Sequence, residues 1–228
     1  MKEKSFEFYV EKCNVISSYE QADVSFLPPI VRRRLSKLDK CALSVMNSVY
    51  DDDIQNIVFC SQYGEVERLK KIIAQYSEAG EVSPNTFAGS VHNFPVGFFL
   101  LNTHKAVPYT AISSHDRSIS SGLLTSVIAP YSKTLLCYAE ETPEENYRAL
   151  ALRLCKTPSP AALKYKMTMS SASGKNVFEQ YAEFFCKNSG LIRAPLFTLE
   201  SAGWLMNKIN SLIRAFLVLF CFAFFGAG

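Results

Sequence analysis

Apolar positions alternate or recur at helical spacing in short runs, and these runs divide the chain into strands and helices. Phe6-Glu7-Phe8-Tyr9-Val10 alternates as a half-buried strand does. Pro28-Pro29 end that segment and open a helix, because proline is tolerated in a first turn. Along it Ile30, Leu35, Leu38, Ala42, Val45, Met46 and Val49 follow helical spacing, and the acidic run 51–53 closes it. The continuous apolar run NIVFC, 56–60, predicts a buried strand. A helix over 65–76 places Val66, Leu69, Ile72 and Ile73 on one face. Residues 83–124 read as loop, apolar helix, short strand (108–113), tight polar turn, and a helix rich in small residues. A further buried strand, KTLLCYA at 133–139, runs into an acidic loop at 140–145. Segments 149–155 and 162–170 are expected to pair as strands around the turn at Pro158 and Pro160. In the second of them Tyr165, Met167 and Met169 alternate with Lys164, Lys166 and Thr168. An amphipathic helix over 177–186 and a last strand over 194–199 follow. Strands alternating with helices make a layered α/β domain.

Composition narrows what that domain does. The chain has 228 residues, 48% hydrophobic and 20% charged, enough for one domain with a sizeable core. A net charge of +3, with RRR at 32–34 and RLKK at 68–71 as short runs in helical contexts, argues against nucleic acid. Seven cysteines are scattered without a C-x-x-C pair or metal-ligand spacing, so no metal site is expected. The charged start MKEKSFEFYVEKC lacks the apolar segment of a secretory signal, and a reducing, cytoplasmic setting is expected. No phosphate-cradling glycine loop follows a strand.

Three segments in order, PPIVRRRLSKLDKCAL, VFCSQYGEVERLKKII and SPNTFAGSVHNFPVGFFLLNTHKAVPYTAISSHDRSISSGLL, carry a resemblance. Together they resemble the ketosynthase-like N-terminal domain family, that is, β-ketoacyl synthase chain-length factors of aryl polyene and related type II fatty-acid or polyketide systems. The resemblance covers residues 5–204 and implies a thiolase-like α/β fold, a single N-terminal-type half with a mixed sheet flanked by helices. Residues 1–204 then form the domain, and 205–228 a hydrophobic C-terminal tail. In working condensing enzymes a strand runs into a sharp turn whose cysteine starts a buried helix. Here that turn reads Ser113-Ser114-His115-Asp116-Arg117-Ser118, without cysteine. The second half, which would supply histidines for decarboxylation and oxyanion stabilisation, has no counterpart either. Claisen condensation needs a thiolate to hold the acyl chain and donors for the enolate oxygen. The resemblance therefore implies a non-catalytic chain-length factor, with Ser114, His115 and Asp116 as a vestigial nucleophile turn.

In this reading the chain pairs with a catalytic β-ketoacyl-ACP synthase as a heterodimer, the strand before the turn meeting its counterpart on the second subunit. It needs no cofactor, since the acyl-phosphopantetheine arm of an acyl carrier protein reaches the partner subunit. Candidate tunnel or interface residues are His92, Asn93, Phe94, Phe98, Phe99, Tyr109, Arg117 and Leu123. Each has a structural alternative. His92 and Asn93 can satisfy backbone groups at a helix start, the phenylalanines and Leu123 can be core, and Ser114 or Asp116 can cap a helix. His115 is expected to fill or bridge the vestigial pocket, Arg117 to pair with Asp116 or the partner, and Gly97 and Gly122 to allow close packing. The alternative function is a stand-alone acyltransferase or thioester hydrolase using Ser114, His115 or a cysteine. Adjacent residues project in divergent directions, however, and no G-x-S-x-G elbow is present. The uncharged stretch 215–228 falls short of the ~20 apolar residues of a spanning helix. The tail reads as a helix packed on a partner, an interfacial membrane anchor, or a truncated membrane segment.

Overall fold

Strand β2 (Asn56–Cys60) is buried along its whole length because NIVFC is apolar on both faces and lies between two parallel neighbours. Those neighbours are β3 (Tyr109–Ile112) and β4 (Lys133–Glu141). The computed structural model describes residues 4–142, 146–160, 162–169, 178–187, 191–194 and 196–201. The remaining strands are β1 (Ser5–Ile16), β5 (Tyr147–Cys155), β6 (Leu163–Met169), β7 (Leu191–Arg193) and β8 (Phe197–Ser201). They form one mixed eight-stranded sheet in the order β3-β2-β4-β5-β1-β6-β8-β7, antiparallel from β4 outwards to β7. This is the expected α/β architecture, a mixed sheet flanked by helices.

Helices cover both faces. On one side α2 (Lys37–Val49) and α5 (Phe94–Thr103) bury Leu43, Met46, Val96 and Phe99 against Ile57, Phe59 and Leu135. On the other, α6 (Ser118–Ile128) and α7 (Phe178–Lys187) bury Ile119, Leu123, Tyr181 and Phe185 against Val58, Leu136 and Leu152. Gly122 lets α6 reach the sheet: a Cβ there would stand 2.5 Å from Cys60 Sγ and 3.1 Å from Leu136 Cδ1. Gly97 plays no such part, since its nearest neighbour would be the Tyr109 hydroxyl at 3.9 Å.

Several expectations change. The helix opened by Pro29 breaks in two, α1 (Pro29–Arg32) and α2, because Ser36 is extended (φ −66°, ψ 171°) and starts afresh with a capping box to Asp39. Ile30 consequently stays exposed. Strands β5 and β6 exist but do not pair with each other; β1 lies between them, pairing with β6 through Ser5–Val10 and with β5 through Tyr9–Ile16. The last strand starts later than expected, at Phe197, and β7 precedes it as its hairpin partner. Glu140, placed in a loop by its acidic surroundings, is a buried residue of β4. The helix α3 (Val66–Ala79) forms as expected, yet none of its residues is buried. Residues 205–228, the expected tail, lie outside the described residues. Among the described residues no helix is long and apolar enough to cross a membrane.

Gly122→Ala should lower stability by about 1–3 kcal/mol through overpacking. The loss should shrink in a Cys60→Ala background if the sulfur is the obstacle, and paired thermal melts of the four proteins check this.

Candidate functional site

The parallel strands β2, β3 and β4 deliver their carboxyl ends to one edge of the sheet, where ligand sites of open α/β folds gather. Strand β3 ends at Ile112 and the chain turns sharply. Ser113 Oγ donates to Gln62 O (2.9 Å), Arg117 N to Ser114 O (3.0 Å) and Ser118 N to His115 O (3.1 Å). The Ser118 hydroxyl ties the turn from inside, donating to His115 O (2.7 Å) and accepting from Ser114 N (3.0 Å). At its apex His115 takes φ 53°, the left-handed region that non-glycine residues seldom occupy and that marks constrained functional turns. Helix α6 begins directly behind it.

The side chains of this turn do not assemble a triad. His115 is 77% exposed, its Nδ1 3.5 Å from Asp116 Oδ1, and the ring meets Tyr63 edge-on at 6.5 Å. Among the described residues it therefore fills no cavity, contrary to expectation. Asp116 faces His115 rather than Arg117. The N-cap of α6 is Arg117, without a side-chain cap, and not Ser114 or Asp116. Burial pushes the Cys41 thiol up to about 12 and that of Cys155 up to about 11. Burial raises the thiols of the completely buried Cys60 and Cys137 as well. A raised thiol is a poor nucleophile. Among the described residues no group of His, Cys, Asp and Glu could hold a metal.

Behind the turn sit the other expected residues. His92 Nε2 lies 3.1 Å from Ile112 O, which can only accept, so this nitrogen carries the proton. The opposite side of its ring faces Gly64, where φ is +64° and an added Cβ would stand 2.9 Å from Nδ1, so a side chain at this position would be strained. Asn93 Nδ2 donates to the Tyr109 hydroxyl (2.8 Å), fixing the start of α5 to the start of β3. Phe94 and Phe98 are half-buried with ring centroids 5.4 Å apart. Phe99 and Leu123 are fully buried on opposite faces of the sheet, Phe99 against Tyr50 at 5.2 Å, so the two cannot line one tunnel wall.

Sequence reasoning missed two acidic centres. Glu140 accepts from Ser61 Oγ (3.1 Å), Tyr63 N (3.3 Å) and Gln62 N, and so shapes the 61–64 loop that bears on His92 and His115. Burial raises its carboxyl against the pull of those donors. The second centre joins α2 to α3. Ser36 Oγ donates to Glu65 Oε1 (2.8 Å), Arg68 Nε bonds Glu65 Oε2 (3.1 Å), and Arg68 also bonds Asp39 and stacks on Phe94 at 4.9 Å. Asp39 Oδ1 is buried without a partner. Burial and the Asp39 charge push Glu65 up to about 8. Burial raises Asp39 too, but Arg68 draws it back. One proton thus sits on Glu65 and supplies the donor that Asp39 Oδ1 lacks. Above this pair opens a cavity of about 450 Å³ whose rim carries Arg33, Arg34, Lys37 and Lys71.

Residues 10–187 match the beta-ketoacyl synthase, N-terminal domain family, which is most of the chain. The chain belongs to that family. No curated protein matches it. Among solved structures, it is similar to a chain of the ketosynthase (ApeO) in complex with its chain length factor (ApeC) from Xenorhabdus doucetiae. There the identity is 22% and the TM-score 0.63, over 79% of this chain and 83% of that one. The ishigamide ketosynthase/chain length factor gives 14% identity and a TM-score of 0.54, over 68% of this chain and 63% of that one. A type II polyketide ketosynthase in complex with its acyl-carrier protein, AntDE:AntF, gives 9% and 0.50, over 67% and 64%. These likenesses share the fold.

Within this ketosynthase-like domain, Glu65 titrates near 4.5 when unfolded and about 8 when folded. Between those values the folded chain holds the extra proton, so stability should fall as pH rises from about 4.5 to about 8 and level off above. Glu65→Gln keeps an acceptor for Ser36 and a donor for Asp39, gives up the bond from Arg68 Nε, and cannot ionise. Its melting temperature should vary less with pH across this window and exceed that of the parent at pH 8; identical pH profiles would contradict the shared proton.

Proposed function

We propose that this domain is a non-catalytic chain-length factor. It pairs with a catalytic β-ketoacyl-ACP synthase in fatty-acid or aryl polyene-type biosynthesis and walls one end of the partner's acyl tunnel. The observation that carries this reading is the turn at His115. It has a constrained left-handed residue where a nucleophile turn is expected, carries no thiol, and stands at the end of edge strand β3.

The surroundings of the turn support a partner there. Ile57 N donates to Pro108 O and Ser61 N to Ile112 O, so the even-numbered residues of β3 bond β2 and the amides of Tyr109 and Ala111 point away. An open edge of this kind calls for a cover. Earlier in the chain, α3 and α4 (Pro84–Ala88) carry Leu69, Ile73, Tyr76 and Phe87 at 51–63% exposure. Apolar faces of that kind mark interaction surfaces. The cationic rim of Arg33, Arg34, Lys37 and Lys71 suits an acidic carrier protein that brings the acyl-phosphopantetheine arm to the partner. Half-buried Phe94 and Phe98 are the side chains that would meet a growing chain, whereas Phe99 and Leu123 belong to the core.

Phe94→Ala and Phe98→Ala, reconstituted with a catalytic ketosynthase and carrier protein, should shift products to greater length by mass spectrometry. Unchanged lengths in both variants and in the double variant would contradict the tunnel-wall role. Phe99→Ala is unsuitable, since emptying that core site should cost about 3–5 kcal/mol. His115→Cys should leave the isolated chain without condensing activity, because the turn alone supplies no enolate donors.

A further inference from the structure

On the face of the sheet opposite α2, a β-bulge between Val10 and Lys12 resets the alternation of β1. Phe8 and Val10 face α6 and α7 before the bulge, and Cys13 and Val15 return to that face after it. Helix α7 packs against β1 and carries Cys186 in its last turn. Cys13 and Cys186 are neighbours across this seam, where α7 packs on β1, and neither is in a disulfide. Among the described cysteines Cys186 alone is exposed, while Cys13 is half-covered beneath it. Tyr165 lies beside both sulfurs, and its buried hydroxyl has no hydrogen-bond partner among the described residues. Neither the turn nor the acidic centres use any of these groups.

We propose that Cys13 and Cys186 are an oxidation site, forming a reversible disulfide with hydrogen peroxide that fastens α7 to β1. Cys186 is the thiol the oxidant reaches. Its sulfur attacks one peroxide oxygen, the O–O bond breaks, and a sulfenic acid and one water result. The Cys13 sulfur then attacks the sulfenic sulfur, the S–S bond forms, and the hydroxyl leaves with the Cys13 proton as a second water. Two thiols are oxidised and one peroxide is reduced to two waters. The unpartnered Tyr165 hydroxyl is a ready donor to the sulfenic oxygen. Burial holds the Cys13 thiol up at about 12, so the second step is the slower one. The link reaches further than its two residues, because Tyr181 of α7 shares a 2.7 Å hydrogen bond with Ser120 of α6, the helix that starts at the His115 turn.

The full chain, reduced and then exposed to hydrogen peroxide, is alkylated and digested with trypsin. Cleavage after Lys12, Lys175 and Lys187 puts the two cysteines in separate peptides. The expected result is one linked species joining them, removed by dithiothreitol and absent in Cys13→Ser and Cys186→Ser, with a reversible rise in thermal midpoint of more than about 3 °C. Cys13→Ser should leave a sulfenic acid on Cys186 that dimedone traps. Oxidation of the parent chain that yields only higher oxides of Cys186, or only intermolecular disulfides, would overturn the proposal.

Discussion

Four parallel pairings, from Ile57 with Tyr109 to Cys60 with Ile112, hold β3 to β2, and the candidate site hangs from them. Because β3 is short and bonded on one side, its far end must turn at once into α6. That requirement places His115 in the left-handed region and turns its ring outwards. The same pairings leave the amides of Tyr109 and Ala111 pointing away from β2, on the side of β3 where no strand pairs among the described residues. Close contacts around Gly64 and His92 then lock the end of β3 to the loop after β2, so turn and loop form one rigid rim.

Charge is used on this rim to fix position. Helix α3 buries none of its residues, so hydrophobic packing cannot set where it lies. Its first turn is held instead by Arg68 and Glu65 against Asp39 and Ser36, a cluster that is costly to bury and specific in geometry. Sharing one proton between the two carboxyls removes a charge that the single guanidinium would otherwise leave uncompensated. Glu140 does for the 61–64 loop what this cluster does for α3. Both centres thus hold the exposed apolar face of α3 and the β3 edge in one orientation, as a surface for association requires.

Much of this was legible in the sequence, for identifiable reasons. NIVFC is apolar throughout and reads directly as a doubly covered strand. The block 83–124 carries its helix, strand and turn in an order that the fold reproduces. Periodicity found the apolar face of α3 but could not say what lies against it, and among the described residues none buries it. The break at Ser36 had a visible cause, the Ser-x-x-Asp cap, which the longer hydrophobic period masked. Strand partners were harder: β5 and β6 are close in sequence, yet β1 intervenes, and no local pattern records that. The Asp39–Glu65–Arg68 and Glu140 centres escaped because each draws residues from segments far apart in the chain. Phe99 and Leu123 escaped differently, since apolar side chains in a core and in a tunnel wall look alike in one sequence.

The central claim is that this domain works by pairing its open β3 edge with a catalytic ketosynthase. Its most direct test is the mass of the complex formed on co-expression with such an enzyme, measured by light scattering for the parent and for Ala111→Pro. That substitution removes an outward amide and spares the inward ladder to β2. The account predicts a one-to-one heterodimer for the parent and separated, still-folded chains for the variant. A heterodimer that persists unchanged in Ala111→Pro, or a parent chain that binds no ketosynthase, would contradict it.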